Sequence, residues 1–331
     1  MISPSNDREK YILEEFHNHN FLTDDLITFL KKKNIGDNIS NEFTDRVYCQ
    51  AKNRLIHHDM PIVMCDILGF SNKMEYINEL DLYHDVICSM SKSSDKLDRF
   101  ILEKELMYQD IIENKDEFKR LYPNNVTLGR LQFSDTLIIY PKILGSMLQL
   151  LSMYDEFKKI YEYLIISGIL IATQDFYCNM IKDGHLIRGG ISYGKILIQE
   201  NPPTYIGKTI SEVHYIEECQ DWSGILLSPE IIKKIKLFQE ESFEFDKDVT
   251  HLYEKLVSKF KPSIKLNCKD NFKEYYENNN IDYYVLEWRD LIKLDKNLIK
   301  KKAKNKDGII ENSVKKKICN TFNFYDDYYQ K

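Results

Sequence analysis

The chain has 331 residues, 43% of them hydrophobic, which is enough for one large domain or a domain with appendages. Charged residues make up 30% and the formal net charge is −6, so non-specific nucleic-acid binding is excluded as a default behaviour. The cysteines at 49, 65, 88, 178, 219, 268 and 319 are odd in number and never spaced as CxxC, which argues against a structural zinc site and a disulfide framework. A reduced, cytoplasmic protein is expected, and MISPSNDREKY has neither the apolar core nor the cleavage site of a secretory signal.

Residues 1–59 are polar with weak helical patterning and read as an N-terminal helical extension that Asp59-Met60-Pro61 closes. PIVMCDILGF is a continuous apolar run rich in β-formers and predicts a buried central strand. Residues 72–120 have helical period, and LYPNN marks a turn. VTLGRLQFSDTLIIYP reads as two strands with Ser134-Asp135-Thr136 at the bend, a β-hairpin. Residues 144–181 predict a long helix whose apolar stretch, Tyr163 to Tyr177, is shorter than the ~20 residues that span a bilayer. That stretch reads as a buried helix, with no membrane insertion.

HLIRGGISYGKILIQ follows as a strand or hairpin. IGKTISEVHYIEECQ is helical with a Thr/Ser-rich start suited to N-capping, and GILLSPEIIKKIKLF is a strand followed by a helix. The order is that of an α/β (α+β) chain with a ferredoxin- or palm-like βαββαβ core at 60–236. Residues 237–331 form a C-terminal helical or tail region, in which 281–292 is apolar enough to return to the core. Lys293 to Lys317 is lysine-rich and reads as a solvated helix or tail, or as a surface for an anionic partner.

Two aspartates stand out by position. Asp66 interrupts an apolar strand, where an unpaired carboxylate costs several kcal/mol. Asp135 sits at the bend of an apolar hairpin. Each has a plain structural reading, as a helix cap and as a turn residue. Convergent at one end of a palm-like sheet, the pair suits two divalent ions and in-line phosphoryl transfer. The backbone from Ile67 to Phe70, with Gly69 in its turn, is placed to meet phosphate oxygens. The pairs His17/His19 and His57/His58 lack partners at metal spacing and read as surface or packing residues.

VMCDILGFS resembles the strand end that carries the first metal aspartate in class III nucleotidyl cyclases. QFSDTLIIY resembles their second metal-aspartate hairpin, RGGISYG the strand after the long helix, and YIGKTISEVHYIEECQDWSGILLSPE the segment that follows. The four motifs occur in order over 61–235. Within that superfamily the FSD hairpin, the RGGIS strand and the spacing of Gly207, Glu212 and Glu217 are most similar to the Pycsar pyrimidine cyclases of bacterial anti-phage defence.

The resemblance implies two Mn²⁺ or Mg²⁺ ions on Asp66, Asp135 and the Ile67 carbonyl. It also implies phosphate contacts from the Gly69 backbone and Lys208, and a homodimer whose active sites lie at the head-to-tail interface. The product, cyclic UMP or alternatively cyclic CMP made from UTP or CTP, would be read by a separate effector protein. Phe70 is a candidate to stack on the base.

The departures from purine cyclases carry information. Leu131 and Thr204 stand where adenylate cyclases contact adenine. Ser211 and Tyr215 stand where the transition-state asparagine and arginine belong. Arg188 is the first candidate to supply that charge, with Lys195, Lys208 and Arg130 behind it. A degenerate module that binds a nucleotide without turnover is the alternative. Gly189-Gly190 is followed by Ile191-Ser192, which supplies no metal ligand and excludes a diguanylate cyclase hairpin.

Overall fold

The computed structural model describes residues 56–68, 79–108, 126–133, 136–143, 155–200, 203–240, 249–260, 276, 283–304 and 308–329. The expectations for residues 1–55, Gly69, Phe70 and Asp135 lie outside these. The first six elements are β1 (Ile56–Ile67), α1 (Glu79–Tyr108), β2 (Val126–Phe133), β3 (Thr136–Ile143), α2 (Asp155–Lys182) and β4 (Ile187–Glu200). Their sheet order is β2-β3-β1-β4, antiparallel throughout, which is the expected ferredoxin- or palm-like arrangement.

The apolar run around Asp66 is continuous because β1 is central and buried on both faces. Val63, Cys65 and Ile67 enter the larger core, which α2 fills from Tyr163 to Ile181 and α1 closes with Val86 and Met90. Met60, Ile62 and Met64 enter a smaller core on the opposite face. The stretch Glu162–Lys182 of α2 is apolar and long enough to cross a bilayer, yet 83% of its apolar window is buried inside the protein.

The structure differs from the expected break at Asp59-Met60-Pro61, because β1 starts at Ile56 and runs straight through it. Pro61 pairs with Tyr193 of β4. Leu68 N–H donates to the Leu186 carbonyl at 2.9 Å, so in an alternating antiparallel ladder the even residues of β1 bond β4 and the odd ones face β3. The β1–β3 pairing runs only from Asp66↔Thr136 to Val63↔Ile139. One hydrogen-bonded step further, Pro61 would face Pro141, and neither has an N–H to give. The proline therefore ends one ladder while leaving the other intact.

Beyond β4 come β5 (Pro203–Ile206), α3 (Lys208–Glu218), β6 (Gly224–Leu227), α4 (Pro229–Glu240), α5 (Val249–Leu256), β7 (Val257–Phe260), β8 (Tyr283–Leu286), α6 (Lys296–Lys302) and α7 (Asn312–Tyr329). Strand β6 lies parallel to β4, β8 pairs β6 through Leu226↔Val285, and β7 closes that edge. Ser228 caps α4, with Pro229 at the first helical position, and its Oγ lies 3.3 Å from the Ile231 nitrogen. Residue 236 lies inside α4, and the apolar segment at 281–292 contributes β8 to the main sheet.

The described parts of the lysine-rich stretch include helix α6 and the start of α7, and α7 has one buried face. Val314, Ile318 and Phe322 recur every four residues and are buried, while Lys315 and Lys316 face out. Phe324 of α7 lies 4.4 Å from the Trp222 ring and 6.3 Å from Trp288. The Arg289 guanidinium, paired with Glu287 at 2.5 Å, sits 4.1 Å over the same phenyl ring. Phe324→Ala is expected to lower stability by ~3–5 kcal/mol in urea titration, with the slope unchanged. A loss under ~1 kcal/mol would show that α7 is not part of the core.

Candidate active site

Asp66 and Arg188 are direct neighbours across the β1–β4 ladder and share a face. The two glycines after Arg188 let backbone come close on both sides. A Cβ at Gly189 would lie 2.4 Å from the Met64 carbonyl oxygen, and one at Gly190 3.0 Å from that of Val213 in α3. The RGG sequence thus packs β4 tightly between β1 and α3 and leaves the arginine as the first side chain at the open end.

Arg188 Nε lies 3.0 Å from Asp66 Oδ2 and 2.5 Å from Glu217 Oε1. Its Nη1 donates to the Gln220 carbonyl at 3.4 Å. Gln220 Nε2 donates to the carbonyls of Gly189, at 2.6 Å, and Ile216, at 3.0 Å, which fixes the turn after α3 against β4. Burial raises the Glu217 carboxyl to about 7; the Arg188 guanidinium opposes this, while the Asp66 carboxylate adds to it. His214 Nδ1 approaches Glu217 Oε2 at 3.4 Å from the exposed side.

By the alternation of the β1 ladder, the Ile67 carbonyl turns towards β3, one residue beyond the last β1–β3 pair. That pair joins Asp66 to Thr136, and Thr136 in turn pairs with Phe133 across the two-residue connection of β2 and β3. Among the described residues no group of three or more His, Cys, Asp or Glu is gathered to hold a metal ion. The donors present here, the Asp66 carboxylate and the Ile67 carbonyl, are both oxygens and fit the preference of Mg²⁺ or Mn²⁺. A cation on Asp66 would compete with Arg188 for the same carboxylate.

Lys208 is not in this place. It begins α3 and lines an open cleft of about 610 Å³ with Lys195, Gly207, Thr209, Glu212 and Glu230. Lys195 pairs with Asp59, seven positions along β1 from Asp66, or ~23 Å of strand. Glu212 of the cleft accepts from the buried Ser192 Oγ, which in turn accepts from Ser228 Oγ at 2.9 Å. Burial holds the Glu212 carboxyl above the usual carboxylate range. The candidate residues therefore fall at two ends of the sheet, with Asp66, Ile67 and Arg188 at one and Lys195 and Lys208 at the other. Arg130 is exposed on β2.

In the sequence Glu217 belongs to a motif that gives it no role. Its only local signal was an acidic side chain on the buried side of the last turn of α3. Between pH 4.5 and 7 the folded protein retains a proton on Glu217 that the unfolded chain has released. That stabilisation is complete below 4.5 and is lost as pH rises through 7. In EDTA, the stability of Glu217→Gln relative to the parent is therefore expected to improve by up to ~3 kcal/mol from pH 4.5 to 8. A difference that does not move with pH would contradict the burial of an ionising carboxyl here.

No family model matches the chain, and no curated protein does. Solved structures do match. A bacterial light-regulated adenylyl cyclase gives a TM-score of 0.32 at 9% identity, covering 63% of this chain and 56% of its own. The catalytic core of a rhodopsin-guanylyl cyclase with converted specificity, in complex with ATPαS, gives 0.32 at 15% identity, covering 70% and 98%. A further bacterial light-regulated adenylyl cyclase structure gives 0.31 at 9%, covering 64% and 56%. This chain spans little more than half the length of the light-regulated cyclases. At that level of likeness, any chemistry has to rest on the residues of this chain.

Proposed function

We propose that the chain is a nucleotidyl cyclase that converts a pyrimidine nucleoside triphosphate, UTP before CTP, into its 3′,5′-cyclic monophosphate and pyrophosphate. The observation that carries this reading is the register that pairs Asp66 with Thr136, the residue next to Asp135. Four motifs in cyclase order stand behind it. Asp66, Asp135 and the Ile67 carbonyl would hold two Mn²⁺ or Mg²⁺ ions, which supply charge neutralisation and a more acidic ribose hydroxyl when bound.

In the reaction a bond forms from the 3′-oxygen to the α-phosphorus as the bond to pyrophosphate breaks in line, and the hydroxyl proton passes to water. Arg188, released from Asp66, is positioned to meet negative charge on the phosphates. Leu131 on β2 and Thr204 on β5, which replace the adenine contacts, support a pyrimidine. Separation of the two ends favours the head-to-tail homodimer, because opposed subunits bring Asp66 of one to Lys208 of the other. The proposed setting is the cytoplasm, with the product acting as a second messenger for a separate effector in anti-phage defence.

One observation favours the second reading, a nucleotide-binding module without turnover. Arg188 already faces two carboxylates, and Ser211 and Tyr215 offer no guanidinium.

Purified protein with Mn²⁺ and each of the four NTPs is expected to yield cyclic UMP or cyclic CMP. A cyclic AMP product would overturn the substrate assignment, and nucleotide binding without pyrophosphate release would favour the second reading. Asp66→Ala is expected to lose on the order of 100-fold or more in turnover, and full retention would refute the metal assignment. Asp66→Ala and Lys208→Ala, each impaired alone, should recover about a quarter of the parent activity when mixed at equal amounts, since half the dimers then carry one intact site. No recovery on mixing would exclude the shared site.

A further inference from the structure

Helix α7 reaches the Asp66 end of the sheet through the loop at 220–223. Lys316 pairs with the Asp221 carboxylate, and Asn320 Nδ2 donates to the Asp221 carbonyl at 2.8 Å. Thr321 Oγ1 accepts the Ser223 N–H at 2.8 Å while donating to the Lys317 carbonyl at 2.7 Å. Residues 317, 320 and 321 are three and four apart, so they share one helix face. Lys317 therefore rises from the face that meets this loop, whose Gln220 carbonyl receives Arg188. It is half-buried, whereas its neighbours Lys315 and Lys316 are exposed.

The charged groups around Lys317 are Arg188, Asp66, Asp221 and Glu217. Burial first, and then the facing guanidinium, hold its ammonium below the ordinary lysine range, against the pull of the three carboxylates. Asp221 already has Lys316, and Asp66 and Glu217 already have Arg188. A second cation brought out of water next to Arg188 is costly in the empty protein. It becomes favourable when an anion of high charge sits at this end, and a lysine serves phosphate as a mobile point charge.

We propose that Lys317, from the C-terminal helix, is the second cationic contact for the substrate's triphosphate at the Asp66 end, beside Arg188. The cyclisation role rests on the proposed function, whereas triphosphate recognition stands on its own.

Lys317→Met keeps the aliphatic stem and removes the charge, and Lys317→Arg restores a cation. In the NTP assay, Lys317→Met is expected to lose on the order of 100-fold in kcat/KM, mostly in kcat, with Lys317→Arg recovering much of it. Lys315→Gln, the same charge change on the exposed side of α7, should match the parent. A second readout needs no turnover, namely the thermal shift given by inorganic triphosphate with Mn²⁺. The parent and Lys317→Arg should shift, and Lys317→Met should shift markedly less. If the parent makes no cyclic product but this contrast holds, the cyclase assignment falls and the Lys317 site stands. Equal shifts in parent and Lys317→Met, no shift in the parent, or unchanged kcat/KM in Lys317→Met would overturn the inference.

Discussion

The structure turns on one guanidinium held between two carboxylates. Arg188 comes from β4, Asp66 from β1 and Glu217 from α3, and no two of these elements are consecutive in the chain. A charged cluster at the end of an otherwise apolar sheet is tolerable only if each group is paired. The pairing in turn requires close approach of β4 to β1 and of α3 to β4, which the glycines at 189 and 190 permit. The loop after α3 is tied to Arg188, and the C-terminal helix is tied to that loop. Four separate stretches of chain thus meet at one cluster.

Much of this was legible in the sequence because strand alternation and buried apolar runs are local signals. PIVMCDI announced a central strand with one anomalous carboxylate, and the pair of strands around Ser134-Asp135 announced a hairpin beside it. The Pro61 break was misread because proline removes a donor from one side of a strand only. Which neighbour it faces is a tertiary fact. Glu217 carried no distinguishing local pattern, since an acidic residue at a helix end looks solvated until its face is known. Lys317 was hidden by composition: a run of lysines masks the few apolar positions, Val314, Ile318 and Phe322, that dock the helix.

Both ends of the sheet mix acidic and basic groups. The Asp66 end combines carboxylates with guanidinium and ammonium groups. The far end is an open cleft with two lysines and two glutamates. A subunit with both ends is asymmetric along its strands, so self-association that opposes the strands makes two equivalent composite places, and self-association that aligns them makes none.

The short ladder between β1 and β3 has a mechanical meaning. β4 is fastened to β1 along the whole strand from Ile56 to Ile67, whereas β3 is fastened only from Val63 to Asp66. The β2–β3 hairpin is therefore joined to β1 by a short seam that ends at the facing prolines and begins at the Asp66↔Thr136 pair. Tilting about that seam would change the spacing between the two sides of the candidate site, and it would have to move Leu137 and Ile139, which are buried in the helix-packed core. Amide hydrogen exchange should accordingly open β3 well before β4.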